Sequence, residues 1–204
     1  MQITECTPVS KTKTRVRIED DMTLVLLNRD LLQFHLEEGG EIPEEIFQEL
    51  CEKLYKDALR KCGSLLKDMD YSRSALREKL VRAGFPETIA EKAVTAMEEA
   101  HYVDDRRYAE QYLESHAGNR SRLRLRMDLQ KKGIPGELID EVFSSWEEEN
   151  SGRIREEEIR QIRELLRKRR YDPETADWQE TQKTKAFLMR KGYSQDVIRA
   201  ALDS

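Results

Sequence analysis

The sequence predicts a mainly α protein: three tandem three-helix repeats forming an elongated curved array, with a small N-terminal β-hairpin. Three observations carry this. Charged residues make up 38% of the chain and hydrophobic residues another 38%, with only 9 Gly and 5 Pro in 204 residues, a composition rich in helix formers and poor in breakers. Beyond residue 43, apolar residues recur at steps of three and four, the spacing of one helix face. And one phrase is written three times, as VRAGFPETIAEKAV at 81–94, QKKGIPGELIDEVF at 130–143 and MRKGYSQDVIRAAL at 189–202.

The elements follow in order. RVRI at 15–18 alternates, EDD at 19–21 signals a turn, and MTLVLL at 22–27 is a β-rich run, so a hairpin is expected there. An isolated hairpin is marginal in water and should pack on the neighbouring helices. Pro43 pre-sets the first helical position of a long helix, with Glu44 and Glu45 in its first turn. Its apolar stripe runs Ile46, Phe47, Leu50, Cys51, Leu54, Tyr55, Ala58, Cys62, Leu65, Leu66, Met69. A helix over 72–83 points Leu76 and Leu80 inward and ends at Gly84, which supplies a left-handed residue. The next starts at Pro86 and carries Ile89, Ala93, Val94, Met97 and Ala100.

The cycle then restarts. Asp104 or Asp105 caps a helix bearing Tyr108, Ala109, Tyr112 and Leu113. A second helix ends at Gly133, and a third begins at Pro135 with Leu138, Val142 and Phe143 inward. EEENSG at 147–152 reads as a loose connector. The last cycle has a charged helix over 153–170 with Ile159, Ile162 and Leu166 inward, a loop over 172–177, a helix to Gly192 and a final one to Leu202.

Aligned on Gly84, Gly133 and Gly192, the copies match closely. Four residues before the glycine stand Leu80, Leu129 and Leu188; two before, Arg82, Lys131 and Arg190; one after, Phe85, Ile134 and Tyr193; five after, Ile89, Leu138 and Val197. Periods of this size denote a repeat array. The expected division is a hairpin and connector at 1–42, then repeats at 43–103, 104–150 and 151–204.

RLRLRMDL at 122–129 alternates like a strand. Its residues are strong helix formers without β-branching, and the repeat register sets Leu125 and Leu129 on the Leu76 and Leu80 positions. It is therefore read as helix. At about 100° per residue, Arg120, Arg124 and Lys131 then share one face, opposite Leu125 and Leu129.

The runs YSRSALREKLVRAGFPETIAEKAV (71–94), HYVDDRRYAEQYLESH (101–116) and LRMDLQKKGIPGELIDEVF (125–143), in that order, resemble the RecX family of bacterial regulators of the RecA recombinase. The resemblance is clear over 70–145, fair over 153–202 and weak over 1–45; the third unit departs from it with Ser194 for proline and a lengthened loop. It implies a non-enzymatic protein that lies in the groove of a RecA filament on single-stranded DNA with ATP bound to RecA. It implies inhibition of strand exchange, of the filament's ATP hydrolysis and of its co-protease role in DNA repair and the SOS response.

The residues themselves carry no catalytic constellation. His35, His101 and His116 stand alone, and neither GxxxxGK[ST] nor GxGxxG occurs. Asp104 and Asp105 are better explained as helix caps than as metal ligands. Tyr102, Tyr108 and Tyr112 fit packing better than base stacking, given their helical spacing. Cys6, Cys51 and Cys62 form no CxxC, which suits a reducing compartment. No apolar run approaches the ~18 residues of a membrane span. A cytoplasmic monomer with no cofactor, metal or membrane association is expected.

Net charge is −5, yet residues 119–133 hold six bases against Asp128. The candidate contact face is Arg82, Arg120, Arg124, Lys131 and Arg190. Cations near helix C-termini are favoured by the dipole, which accounts for Arg82, Lys131 and Arg190 without any partner. It does not account for Arg120 and Arg124, at a helix start. RKRR at 167–170 lies near a helix end and is discounted by the same dipole effect. Two other readings stand beside the RecA regulator. One is direct DNA binding through helix-turn-helix-like units, opposed by the acidity of the helices at 86–100 and 135–149. The other is a helical adaptor for a different protein.

Overall fold

The computed structural model describes residues 1–19 and 22–203; Asp20 and Asp21 of the expected turn lie outside the described residues. The chain divides into two compact units, residues 1–104 and 105–204.

The first unit opens with an antiparallel sheet of three strands in sequential order: β1 (Ile3–Ser10), β2 (Lys13–Ile18) and β3 (Met22–Leu27). The hairpin expectation holds for β2 and β3, with Val16 opposite Leu24. β1 gives no strand signal in the sequence because it is an edge strand: it contains Pro8, carries register shifts near both ends and buries only Ile3, so it has neither the alternation nor the β-rich composition of a central strand. A short helix, α1 (Asn28–Gln33), follows without a periodic signal; it buries Asp30, whose Oδ1 lies 2.8 Å from Lys53 Nζ.

Helix α2 (Glu44–Asp68) passes through two cores. Its first half, with Leu50 and Leu54, covers Val16, Ile18, Leu24 and Leu26 of the sheet. Its second half, with Ala58 and Cys62, joins α3 (Arg73–Arg82) and α4 (Glu87–Glu99) around Leu76, Leu80, Ala90, Ala93 and Val94. The pairing of hairpin with helices is thus realised through one long helix. Pro43 and Pro86 sit at the N-cap rather than the first helical position. Met69 and Ala100, expected on the apolar faces, are exposed, each just past the end of its helix.

The second unit holds α5 (Asp105–His116), α6 (Arg122–Lys131), α7 (Gly136–Arg169), α8 (Trp178–Arg190) and α9 (Gln195–Leu202). RLRLRMDL is helical, with Leu125 and Leu129 fully buried. The expected connector at 147–152 is instead helix; α7 runs through it with a single non-helical residue, Asn150 at φ −124°. Glu, Asn and Ser are tolerated in a helix interior, and only a local break was needed. Like α2, α7 serves two cores, Ile139, Val142 and Phe143 in one and Ile162 and Leu166 in the other.

Each recurrent glycine has positive φ: 101° at Gly84, 77° at Gly133 and 91° at Gly192. At each, the residue after the glycine donates to the carbonyl of the recurrent leucine (Phe85 N to Leu80 O 3.2 Å, Ile134 N to Leu129 O 3.2 Å, Tyr193 N to Leu188 O 3.3 Å). The glycine N–H donates to the carbonyl three residues back. This is the Schellman arrangement, and it explains why leucine, glycine and a large apolar residue recur together. The fold is therefore mainly α, with three tandem three-helix repeats and a small N-terminal sheet.

Candidate functional site

Arg120, Arg124 and Arg190 are brought together; Lys131 and Arg82 are not. Arg120 precedes α6 rather than belonging to it, because Ser121 is the N-cap and its Oγ accepts from Arg124 N at 3.4 Å. The helical-wheel face joining Arg120 to Lys131 is corrected accordingly. Arg120 and Arg124 converge through a carboxylate: Asp128, 7% exposed, accepts from Arg120 and lies 3.1 Å from Arg124 Nε. Tyr112 Oη accepts from Arg120 and donates to Asp128 at 3.4 Å. So positive charge at the start of α6 is balanced one turn in. Glu158 of α7, also buried, adds to this by accepting from the backbone N–H of Arg122 at 3.1 Å, where negative charge suits a helix N-terminus.

The other two candidates lie apart. Lys131 is exposed at the end of α6. Arg82 belongs to the first unit and pairs with Glu78 at 2.8 Å, one helical turn back.

Arg120, Arg124 and Arg190 line a cavity of about 690 Å³ together with Lys168, Lys191, Glu164, Gln161, Phe187 and Tyr193. Lys168 comes from the RKRR run, which the dipole reading had set aside. Lys191 carries no recurrent signal, because only the position before it is a base in all three copies. Neither could be placed from spacing alone, since the cavity forms where the joint of the third repeat meets the start of α6.

That meeting is polar and specific. Ser121 Oγ donates to the carbonyl of Lys191 at 2.7 Å. Gln161 donates to the Ala117 carbonyl at 2.7 Å and accepts from the Tyr193 hydroxyl at 3.0 Å. Burial pushes the Tyr193 phenol up to about 12, with the negative charges of Glu158 and Glu157 adding to it. Burial also raises the Tyr112 phenol. Lys168 pairs with Glu164 at 2.8 Å. Lys191 lies over the Phe187 ring at 5.7 Å, and Arg169 covers the same ring at 4.3 Å.

The tyrosines divide. Tyr112 is buried and stacks on His116 with centroids 4.1 Å apart, and Tyr108 packs against the same core. Tyr102, expected to pack, is 64% exposed. Among the described residues, no group of three or more His, Cys, Asp or Glu side chains could hold a metal ion, and no described helix is long and apolar enough to cross a membrane. The acidic third helices spend part of their charge within their own repeats: Glu91 and Glu98 pair with Arg73, and Asp140 with Arg126.

Residues 104–142 match the family description "RecX, second three-helix domain" and 156–202 match "RecX, third three-helix domain". Regulatory protein RecX of Trichlorobacter lovleyi is 35% identical over 149 residues, covering 71% of this chain and 90% of that protein. Regulatory protein RecX of Clostridium acetobutylicum is 26% identical over 206 residues, covering 98% and 94%. A crystal structure of a regulatory protein RecX superposes with a TM-score of 0.66 at 20% identity, covering 100% of this chain and 99% of that one. That of RecX from Lactobacillus salivarius gives 0.60 at 17%, covering 74% and 96%. The two family descriptions take in the second and third joints and the arginine-rich helix, and with a RecX relative 35% identical across 90% of its own length, the chain belongs to the RecX family.

Proposed function

We propose that this chain is a non-enzymatic regulator that binds RecA filaments assembled on single-stranded DNA with ATP, and inhibits their recombinase, ATPase and co-protease activities. The observation that carries the reading is family membership, which rests on a relative named a regulatory protein that matches over 90% of its own length. The three modules, at 43–103, 104–150 and 151–204, supply weak contacts that sum along a filament of repeating protomers. The protein acts in the cytoplasm, as a monomer, without a cofactor.

The contact surface we assign is the exposed base set of the second unit, Lys131 and Arg190 foremost. Among the described residues neither is paired with a carboxylate, so each is available to an acidic partner surface. Arg120 and Arg124 serve that surface indirectly, since Asp128 engages both.

The test is co-sedimentation of the purified chain with RecA–single-stranded DNA–ATP filaments, alongside inhibition of filament ATP hydrolysis. Wild type should sediment only with filament and inhibit hydrolysis. Lys131→Glu with Arg190→Glu should weaken both while leaving helicity unchanged. Full inhibition by that double variant removes these residues from the interface. Sedimentation with bare DNA at equal strength, and with a steep salt dependence, would favour a DNA-binding module instead.

A further inference from the structure

We propose that the cavity between α6, the second half of α7 and the α8–α9 joint is a binding site for an oligophosphate, that is, for adjacent phosphate groups such as those of a nucleoside triphosphate or a nucleic-acid backbone. The inference does not depend on the RecA reading.

Charge is the first ground. Five cationic side chains line one cavity: Arg120, Arg124, Lys168, Arg190 and Lys191. They come from three separate stretches of chain, so no single charge run explains the convergence. Their compensation is incomplete. Asp128 is one carboxylate shared by two guanidiniums, and Glu164 cancels Lys168. Arg190 and Lys191 pair with no carboxylate among the described residues. A surplus of three positive charges therefore faces one concave space. Helix C-termini near Arg169 and Arg190 offset this by only about half a charge each. Like charges held together in a cleft focus potential and attract a counter-ion.

Size and chemistry choose the ion. At about 690 Å³ the cavity is within the range of small-molecule sites, roughly 300–1,000 Å³. A triphosphate brings several negative charges on adjacent centres, while each carboxylate of a peptide brings one and needs its own stem. Guanidiniums match phosphate oxygens in a bidentate fashion, and lysines add mobile point charges. Two features bias the site against a base or another ring: Phe187 is already covered by Arg169 and Lys191, and the Tyr193 hydroxyl is engaged by Gln161. The phosphates, not a nucleobase, are what the walls recognise.

The wall is also held in place. Asp128 fixes Arg120 and Arg124 from below, and the Ser121–Lys191 hydrogen bond fixes the joint that presents Arg190. A ligand would meet cations that are already positioned, so little ordering cost is added on binding.

The experiment is isothermal titration of the full chain with inorganic triphosphate at low ionic strength, with no RecA present. Wild type should bind, and affinity should fall as salt rises. Arg190→Glu and Lys168→Glu should each weaken binding at least tenfold. Arg190→Gln, which leaves no new charge against the joint, should weaken it less. Lys67→Glu, the same charge change on α2 of the first unit, should leave it unchanged. Melting curves of all variants keep loss of fold separate from loss of binding. Displacement of triphosphate by an oligothymidylate identifies a nucleic-acid backbone as the source; displacement by ATP alone identifies a free nucleotide. No binding by wild type at low salt, or an Arg190→Glu loss no larger than that of Lys67→Glu, overturns the proposal.

Discussion

Removing both arginines that hold Asp128 should unfold the second unit at markedly lower temperature, and neutralising Asp128 should then restore part of the loss. Asp128 is 7% exposed. Breaking a buried ion pair by deleting one partner costs about 3–5 kcal/mol when the remaining charge stays dry. Here the side chains of Arg120 and Arg124 are 37% and 49% exposed, so water reaches the carboxylate once either is gone. Arg124→Ala alone should cost about 0.5–1 kcal/mol, as for a partly screened pair. Arg120→Ala also removes the donor to the Tyr112 hydroxyl, which keeps only its bond to Asp128, and should cost about 1–2 kcal/mol. The double variant leaves Asp128 with only Tyr112 and should cost about 2–4 kcal/mol, non-additively because the partner is shared. For a unit spanning 105–204, each kcal/mol moves the midpoint by about 4–8 °C. The assay is thermal unfolding by circular dichroism of four chains, which are wild type, the double alanine variant, and each of these with Asp128→Asn. In the wild-type background Asp128→Asn removes two ion pairs and destabilises. In the double-alanine background it removes an uncompensated charge and stabilises. The same sign in both backgrounds, or a double variant that melts with wild type, refutes the clamp.

Further outcomes follow from the joints and the buried titratable groups. Gly192→Ala should cost about 1–3 kcal/mol, because it forces a side chain into the left-handed region with its Cβ 2.6 Å from Ser121 Oγ; Gly136→Ala, in open space at a helix start, should stabilise by about 0.5–1 kcal/mol, and urea unfolding compares the two. Tyr193 keeps its proton in the folded chain up to about 12, while an unfolded tyrosine loses it near about 10. The stabilisation is thus full below about pH 10 and disappears between there and pH 12, a change of about 2–3 kcal/mol. Tyr193→Phe should flatten that alkaline segment of the stability profile, and an unchanged slope would show that Tyr193 is not its source. Cys62 is fully buried, with its thiol pushed up to about 11 by burial. A thiol reagent at neutral pH should therefore modify Cys6 and Cys51 first and Cys62 only as the first unit opens; simultaneous labelling of all three would contradict the core placement.

Much of the fold was legible because it is written in local terms. A leucine, a glycine and a large apolar residue at fixed spacing are what a Schellman stop requires, and Leu80, Leu129 and Leu188 are all fully buried. Three-residue and four-residue steps located the helices. They did not locate the deepest residues. Ile89 and Leu138 were expected inside and are only partly buried, while their neighbours Ala90 and Ile139 are at 0% and 1% exposure. Alanine gives a weak periodic signal, and two adjacent apolar residues leave the helix face ambiguous by about 100°. Thr184 occupies the place of Leu76 and Leu125 and is buried despite its polarity. The site was less legible than the core. Arg120, Arg124 and Arg190 could be flagged as bases out of place or recurrent, but what brings them together is a contact between residues 121 and 191. Seventy positions of separation leave no periodic trace.

The first and third joints show how one kind of helix joint is covered by two unlike elements. At the third joint, the carbonyl before the glycine accepts from Ser121, and the glycine lies so close to α6 that a Cβ would meet Leu123 at 3.1 Å. At the first joint, the carbonyl of Ala83 accepts from Lys13 Nζ at 3.0 Å, and a Cβ on Gly84 would meet Val25 Cβ at 2.8 Å. The chemistry is the same, a donor to the carbonyl and a surface against the bare glycine, but the partner is a sheet in one case and the start of a helix in the other. β2 and β3 therefore occupy for the first repeat the place that α6 occupies for the third. This gives the sheet a reason to be present in an otherwise helical chain: it covers a joint whose glycine and carbonyl would otherwise face solvent.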